Sequence, residues 1–241
     1  MSGHSKWATT HRQKEANDAK RGKIFTKMAN IITVAVREKG GDPETNFALR
    51  MAIERARSVN MPKDNIERAI KKGTGELEGS QIEVLYYEGI GPANSQFIVK
   101  CLTDNKNRSA SEVRHLFSKY GGSLGSVMWN FDQKGVIRIL KEEAEKAKLN
   151  NEEVELELID LGAEDIVKEE EGVVIYSPVS CLADLKKFFE NKDVATESAD
   201  IEYVPKNLQK VSEADKQKIE NFIQDLQDSD DVSDYYNNVN I

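Results

Sequence analysis

The first 23 residues combine cationic side chains with aromatic side chains that can stack on bases. Lys and Arg neutralise phosphate groups, while Trp and His present flat rings to a base or a sugar. A merely soluble tail, with Trp7 packed against the rest of the chain, is the other interpretation, but Trp is uncommon in idle disordered segments. The pattern therefore predicts an arm that binds nucleic acid through Lys6, Trp7, His11, Arg12, Lys14, Lys20, Arg21 and Lys23.

A second group of basic residues lies on predicted helices and forms a weaker set of candidates. Lys27 follows the arm on the first helix, and Lys71 and Lys72 lie at the end of the third. The alternative for these three lysines is that they are only solvated, because charged side chains are mostly exposed whatever their role. We keep them as predicted nucleic-acid contacts.

The segment from Thr103 to Arg108 connects a predicted strand to a predicted helix. The start of a helix presents free N–H groups and a partial positive charge, and Lys106 and Arg108 would add to the attraction for a phosphate. A polar turn whose Asn residues cap the helix fits the same residues. The sequence leaves both interpretations open.

The sequence contains no convincing pattern for catalysis or metal binding. Residues 121–125 match the G-x-S-x-G pattern of a nucleophile elbow, which needs a strand before the Ser and a helix after it. Here the predicted order is reversed, so a plain helix-to-strand turn is the better interpretation. The three His and two Cys residues show no metal-ligand spacing. We therefore expect no enzyme activity, no metal, no cofactor and no small-molecule substrate.

Charge is divided unevenly along the chain. Residues 1–80 hold 16 Lys and Arg against 10 Asp and Glu, whereas residues 81–241 hold 18 against 32. The sequence pI of about 5.2 hides the basic end, which should face an anionic partner. The acidic stretch Glu142–Glu171 is expected to be solvated surface, with a face for a protein contact or a screen that keeps the arm off non-cognate nucleic acid as the functional alternatives. No apolar run approaches the roughly 20 residues that span a bilayer, so we expect a cytoplasmic protein without a membrane partner.

Three helices are predicted after the arm. Ile24, Met28, Ile31 and Ala35 recur at helical spacing in the first, and the Gly-Gly-Asp-Pro sequence at 40–43 ends it. A second helix starts near residue 46. The third begins near Pro62, which suits a first helical turn, and is expected to stop at residue 73. These helices predict a small bundle.

Strand patterns begin after a polar linker. Two predicted strands, 82–87 and 96–102, flank a turn, and a helix is expected to start at Ser109. A strand is expected over 127–131. Residues 136–204 then read strand, helix (about 144–159), strand, strand, helix, strand, which is the ferredoxin-like order. The last helix and strand would need to complete the earlier sheet.

The predicted fold class is therefore α+β and multidomain: an N-terminal three-helix bundle and two ferredoxin-like α+β domains, one inserted in the other. The expected boundaries are 1–15 for a mobile basic arm and 16–78 for the bundle. Residues 79–133 and 206–241 would form the split α+β domain. Residues 134–205, with 9 basic and 19 acidic side chains, would form the inserted acidic domain.

Several long motifs resemble the YebC/PmpR family. They are Gly3–Trp7, Asp18–Lys27, Gly41–Pro43, Asn60–Ile70, Tyr87–Pro92 and Leu102–Arg108. The likeness covers essentially the whole chain. This sequence departs from the family at Ala8–Thr10, at Ala93–Ser95, where the family usually continues with glycine, and in a shorter loop after Gly125.

The resemblance implies a helical bundle followed by two α+β domains, one inserted in the other. It also implies a role in gene expression. Bacterial members are usually described as transcriptional regulators that bind promoter DNA. A mitochondrial relative activates translation of cytochrome c oxidase subunit I, and bacterial relatives have been linked to stalled ribosomes. The expected partner is therefore promoter DNA or, alternatively, ribosomal RNA in the ribosome.

Overall fold

The structure, a computed structural model, describes residues 18–79 and 81–240. Its first three elements are helices: α1 (Asp18–Lys39), α2 (Phe47–Ser58) and α3 (Lys63–Thr74). Their apolar faces meet in one core, which includes the fully buried Ile32, Leu49 and Ala56. The helical spacing of apolar residues therefore marks the face that each helix buries.

Asn46 connects the end of α1 to the start of α2. Its side-chain oxygen accepts from the Leu49 N–H at 3.1 Å, which is the standard contact of a helix N-cap. Its amide nitrogen donates to the carbonyl oxygens of Ala35 at 2.8 Å and Gly40 at 2.7 Å. One fully buried side chain thus fixes the turn between the two helices.

The third helix passes the glycine at which it was predicted to stop. At Gly73 a Cβ would lie 2.6 Å from the Val36 Cβ, so glycine is there because α3 crosses α1 closely. The helix ends at Thr74, and Gly75, with φ of 83°, provides the left-handed residue that follows it. The prediction confused a packing glycine with a terminating one.

The next elements are β1 (Glu83–Ile90), β2 (Gln96–Thr103), α4 (Lys106–Lys119) and β3 (Ser123–Leu124). The helix α4 begins three residues before the predicted Ser109, because Asn105 rather than Ser109 is its N-cap. The predicted strand over 127–131 is also wrong: residues 128–130 form a 3-10 turn, and the next strand starts at Phe131.

Residues 131–206 form a compact unit of their own. In chain order its elements are β4 (Phe131–Leu140), α5 (Lys141–Lys146), α6 (Glu152–Asp160), β5 (Asp165–Lys168), β6 (Gly172–Ser177), α7 (Leu182–Asn191) and β7 (Ser198–Pro205). The sheet order is β5-β6-β4-β7, with every pair antiparallel. This is the strand order of a ferredoxin-like fold.

The predicted helix over 144–159 is two helices. Lys148 has φ of 54°, which interrupts helical geometry after α5. Asn151 then caps α6 by accepting from the Glu153 N–H at 2.8 Å. The apolar period runs through both helices, so the periodicity alone did not reveal the break.

The chain returns to the earlier sheet after the inserted unit. The elements are β8 (Gln209–Lys210), α8 (Glu213–Asp228), β9 (Val232–Asn237) and β10 (Val239–Asn240). Strand β9 pairs with β2, which gives the order β3-β1-β2-β9. The aromatic rings of Phe97, Phe117 and Phe222 pack edge-on between this sheet and helices α4 and α8. The α+β class with one unit inserted in the other is confirmed.

The turn between β1 and β2 contains a residue with an unfavourable backbone. Ala93 has φ of 56°, a left-handed conformation that costs an L-residue about 1–2 kcal/mol. We expect Ala93→Gly to raise the free energy of unfolding by about 1 kcal/mol in urea titrations. Asn94, at φ of 59°, is the control: Asn tolerates this region, so Asn94→Gly should gain less. Destabilisation by Ala93→Gly would contradict this account of the turn.

The two cysteine thiols differ in burial. Burial raises the pKa of the Cys101 thiol to about 12, whereas Cys181 is half-buried at the start of α7. Only the thiolate attacks electrophilic reagents. We expect a thiol reagent at pH 8 to label Cys181 in the folded protein and Cys101 only after unfolding. Rapid labelling of folded Cys181→Ser protein would contradict the prediction.

Candidate nucleic-acid interface

The predicted interface lies only partly within the described structure. Its arm residues Lys6, Trp7, His11, Arg12 and Lys14 fall outside the described residues. Lys20 belongs to the first turn of α1, but its side chain also lies outside the description. Arg21 is exposed on the same helix. The arm therefore remains a prediction from the sequence, and the geometry concerns the remaining candidates.

Two lysines of α1 contact the end of α8. The Lys23 Nζ lies 2.9 Å from the Asp230 carboxylate and donates to the Asp228 carbonyl oxygen at 3.1 Å. The Lys27 Nζ donates to the Gln227 carbonyl oxygen at 2.6 Å. The last carbonyls of a helix have no partner within the helix and carry partial negative charge. These lysines therefore complete the C-terminus of α8.

The two amino groups have opposite pKa shifts. The hydrogen bond to Asp230 and its charge raise the pKa of Lys23, while burial lowers the pKa of Lys27. Lys23 is thus held as a cation at the surface, where a phosphate could compete with Asp230. Lys27 could reach a phosphate only if its contact with Gln227 broke.

The turn from Asp228 to Asp231, which we call the acidic turn, also binds Arg108. The Arg108 guanidinium donates to both carboxylate oxygens of Asp231, at 2.7 and 3.1 Å, and to Asp104 at 3.0 Å. The Thr103 hydroxyl donates to Asp231 at 3.1 Å. These hydrogen bonds raise the pKa of Arg108. The structure thus brings together three predicted site residues, Lys23, Lys27 and Arg108, at the end of α8 and the acidic turn that follows it.

The segment 103–108 forms the polar, helix-capping turn that the sequence allowed. The Asn105 side chain accepts from the N–H groups of Asn107 and Arg108, each at 3.1 Å. The Lys106 Nζ lies 2.7 Å from the Glu83 carboxylate. The Asp231 carboxylate thus takes the position on Arg108 that the sequence allowed for a phosphate.

Lys71 and Lys72 lie apart from that cluster, in the last turn of α3. Lys71 is exposed and Lys72 half-buried. Cations at this end of a helix interact favourably with its dipole, so their position has a structural reason as well as a possible role in phosphate contact.

Sequence reasoning missed the acidic partners of the basic residues. Asp230 and Asp231 lie more than 120 positions after Arg108 along the chain. No local motif connects such distant residues. Only the return of β9 to β2 brings the acidic turn to α1 and α4, because the turn immediately precedes β9.

Other sequence patterns take plain structural roles. Ser123, in the G-x-S-x-G pattern, lies in β3 and pairs with Ile90, not at a strand-to-helix turn. Among the described residues, no group of three His, Cys, Asp or Glu side chains could hold a metal ion. None of the helices within 18–79 and 81–240 is long and apolar enough to cross a membrane.

The fold consists of a basic helical bundle, an α+β part, and an acidic unit inserted into the chain of that part. This arrangement defines the class of this protein. Residues 5–76 match the family described as the TACO1/YebC protein N-terminal domain, and residues 82–239 match the TACO1/YebC second and third domain. Together these matches cover almost the whole chain. The chain belongs to the TACO1/YebC family.

Individual relatives agree with this assignment. A probable transcriptional regulatory protein of Thermotoga maritima is 48% identical, over 99% of this chain and 93% of its own length. One from Caldanaerobacter subterraneus subsp. tengcongensis is 46% identical, over 100% of this chain and 99% of its own. The crystal structure of a conserved hypothetical protein from Aquifex aeolicus superposes with a TM-score of 0.80 at 43% identity, covering 93% of this chain and 92% of that one.

Proposed function

We propose that this protein is a non-enzymatic regulator of gene expression that binds nucleic acid through its basic N-terminal region. The observation that carries the proposal is the division of charge: net positive over residues 1–80 and strongly negative over the remainder. A basic region next to an acidic body favours a polyanion at one end and disfavours indiscriminate adhesion elsewhere. The proposed site of action is the cytoplasm.

Promoter DNA is the first candidate target. The names of the relatives, probable transcriptional regulatory proteins, support this choice. The proposed contacts are the arm residues with Arg21 and Lys23, and more weakly Lys27, Lys71, Lys72, Lys106 and Arg108. These side chains would contact phosphates, which sets affinity and orientation rather than sequence preference.

Ribosomal RNA is the second candidate, which would make the protein a ribosome-associated translation factor. A specific feature favours it: the basic residues of the described helices gather at helix ends and around the acidic turn. A helix that reads bases in the major groove instead presents polar side chains along one exposed face. Contact with phosphates suits structured RNA at least as well as a promoter.

Salt-dependent binding tests the proposal directly. We expect the full chain to bind a promoter duplex or ribosomal RNA with an affinity that falls linearly in log–log form as salt rises. The slope counts the phosphates that are neutralised, at about 0.9 per contact for duplex DNA. Absence of binding to both nucleic acids at low salt would contradict the proposed function.

A further inference from the structure

The sheet β3-β1-β2-β9 carries α4 and α8 on one face, whereas α1 packs against part of its other face. Leu85, Tyr87 and Phe97 belong to the core shared with α4 and α8. Because side chains alternate along a strand, Tyr86, which lies between Leu85 and Tyr87, belongs to the opposite face, and so do Glu88 and Ile90 further along β1. We call this the second face.

Only part of the second face is exposed. Near the end of β2, Leu102 packs with Val34 of α1 and with Ile82. In the middle of the face, Ile98 and Tyr236 are buried. The exposed part follows β1, where Tyr86 and Ile90 each retain 40% of their surface.

A tryptophan joins this exposed strip. The Glu88 carboxylate accepts from the N–H groups of Val127 and Met128, each at 2.7 Å. Because strand alternation places Glu88 on the second face, these hydrogen bonds tether the turn 126–130 to that side of the sheet. The turn carries Trp129, whose exposed fraction of 64% is the highest among the exposed large hydrophobic residues within the described chain.

The position of Trp129 is fixed despite its exposure. Its neighbours Val127 and Asn130 are buried, and Asn130 donates to the Gln96 side chain at 2.8 Å. The indole N–H of Trp129 donates to the Ser126 carbonyl oxygen at 3.2 Å. An aromatic ring that is both exposed and held in place is suited to stacking, because binding would cost little conformational entropy.

A lysine lies beside the strip. Lys100 is the direct neighbour of Tyr86 across β1 and β2, and it is only half-buried. On the other side of Lys100, its partner on β9 is Asp234, whose carboxylate lies 3.9 Å from the guanidinium of Arg55 of α2. The Glu88 carboxylate is engaged by the N–H groups of the turn, which offset part of its negative charge. A polynucleotide would therefore meet aromatic rings with a positive side chain next to them.

We propose that this strip stacks unpaired nucleotides of RNA, with Tyr86 and Trp129 as the two platforms and Lys100 as a phosphate contact. The proposal rests on the second candidate of the proposed function, in which the target is RNA. It adds that the bound nucleotides are unpaired. Exposed aromatics on a four-stranded sheet bind single-stranded RNA by stacking successive bases. A fully paired duplex buries its base faces and cannot use such platforms.

Trp129 reports on its own occupancy. The chain has two Trp residues, Trp7 and Trp129, so Trp129 is the sole tryptophan fluorophore in a Trp7→Phe background. We titrate this protein with a single-stranded RNA of about 12 nucleotides and with the same strand annealed to its complement. Stacking should quench Trp129 with the single strand and leave its emission nearly unchanged with the duplex.

Affinity in the same background gives the second readout. Tyr86→Ala and Trp129→Ala should each weaken binding of the single strand by about 5- to 150-fold, whereas Trp129→Phe should recover most of the loss. Leu156→Ala is the control. The exposed fraction of Leu156, 61%, is similar to that of Trp129, but Leu156 lies in the inserted unit. It should leave binding unchanged.

The outcomes separate the two proposals. Single-stranded RNA that binds without quenching Trp129, and with equal affinity for the alanine variants, would overturn the stacking strip but leave the proposed function intact. Failure of the full chain to bind any nucleic acid would instead overturn the proposed function.

Discussion

Deletion of residues 1–15 is expected to weaken binding to duplex DNA by up to about 100-fold at 0.15 M salt. The segment contains three cations: Lys6, Arg12 and Lys14. If each neutralises one phosphate, the slope of log affinity against log salt should flatten by about 2.7 units. The measurement is a series of equilibrium titrations at several salt concentrations, with the full and the shortened chain.

A charge-matched control separates local contacts from net charge. The triple variant Lys141→Gln, Lys148→Gln and Lys187→Gln removes three exposed cations from the inserted unit. It lowers the net charge by three units, at least as much as the deletion, which removes Glu15 together with the three cations. It should leave the slope as it is in the full chain. If the shortened chain also kept the full slope, the arm would not bind phosphate.

Replacing Asp231 by alanine is expected to lower the free energy of unfolding by about 2–3 kcal/mol. Its carboxylate side chain is only 8% exposed, and it accepts from Arg108 and from the Thr103 hydroxyl. Removing one partner of a largely buried pair leaves the other groups without their acceptor. The Arg108 side chain is half exposed, so solvent recovers part of the loss. Urea unfolding measures the change.

The neighbouring residue Asp230 is the matched control for that substitution. Its carboxylate pairs with Lys23 at 2.9 Å but is 72% exposed. Exposed ion pairs contribute little to stability, so Asp230→Ala should change it by less than about 0.5 kcal/mol. Equal effects of the two alanine substitutions would contradict the distinction between a structural and a surface pair in the acidic turn.

Most of the fold could be predicted from the sequence because its signals are local. Apolar residues at helical spacing located α1, and Pro62 marked the start of α3. Runs of apolar and aromatic residues on either side of a turn located β1 and β2. The predicted class, a helical bundle with one α+β part inserted in another, is confirmed by the structure and by its likeness to a solved relative.

The errors in the predicted element boundaries arose where a residue type has more than one structural role or gives no local signal. Gly73 allows a close helix crossing instead of ending α3. The break between α5 and α6 depends on the backbone of Lys148, a residue that gives no turn signal. The predicted capping pattern at Ser109 was displaced by Asn105, which caps α4 one turn earlier.

The candidate site was harder to predict because its geometry depends on distant pairs. The sequence identified Lys23, Lys27 and Arg108 as basic residues, but not that each contacts either the end of α8 or the acidic turn. Tyr86 and Trp129 were not predicted as site residues. The alternation of β1 could have placed Tyr86 outward, whereas the position of Trp129 depends on Glu88, about 40 residues before it.

Competition between ribosomes and promoter DNA is the most direct test of the central claim that this chain binds nucleic acid through its basic arm. The full and the arm-deleted chains are mixed with ribosomes at near-physiological salt, with excess promoter duplex or scrambled duplex as competitor. We expect the full chain to be retained by one target: ribosomes if it acts in translation, or the promoter but not the scrambled duplex if it acts in transcription. We expect the shortened chain to be retained by neither, and retention of both chains to the same extent would contradict the account.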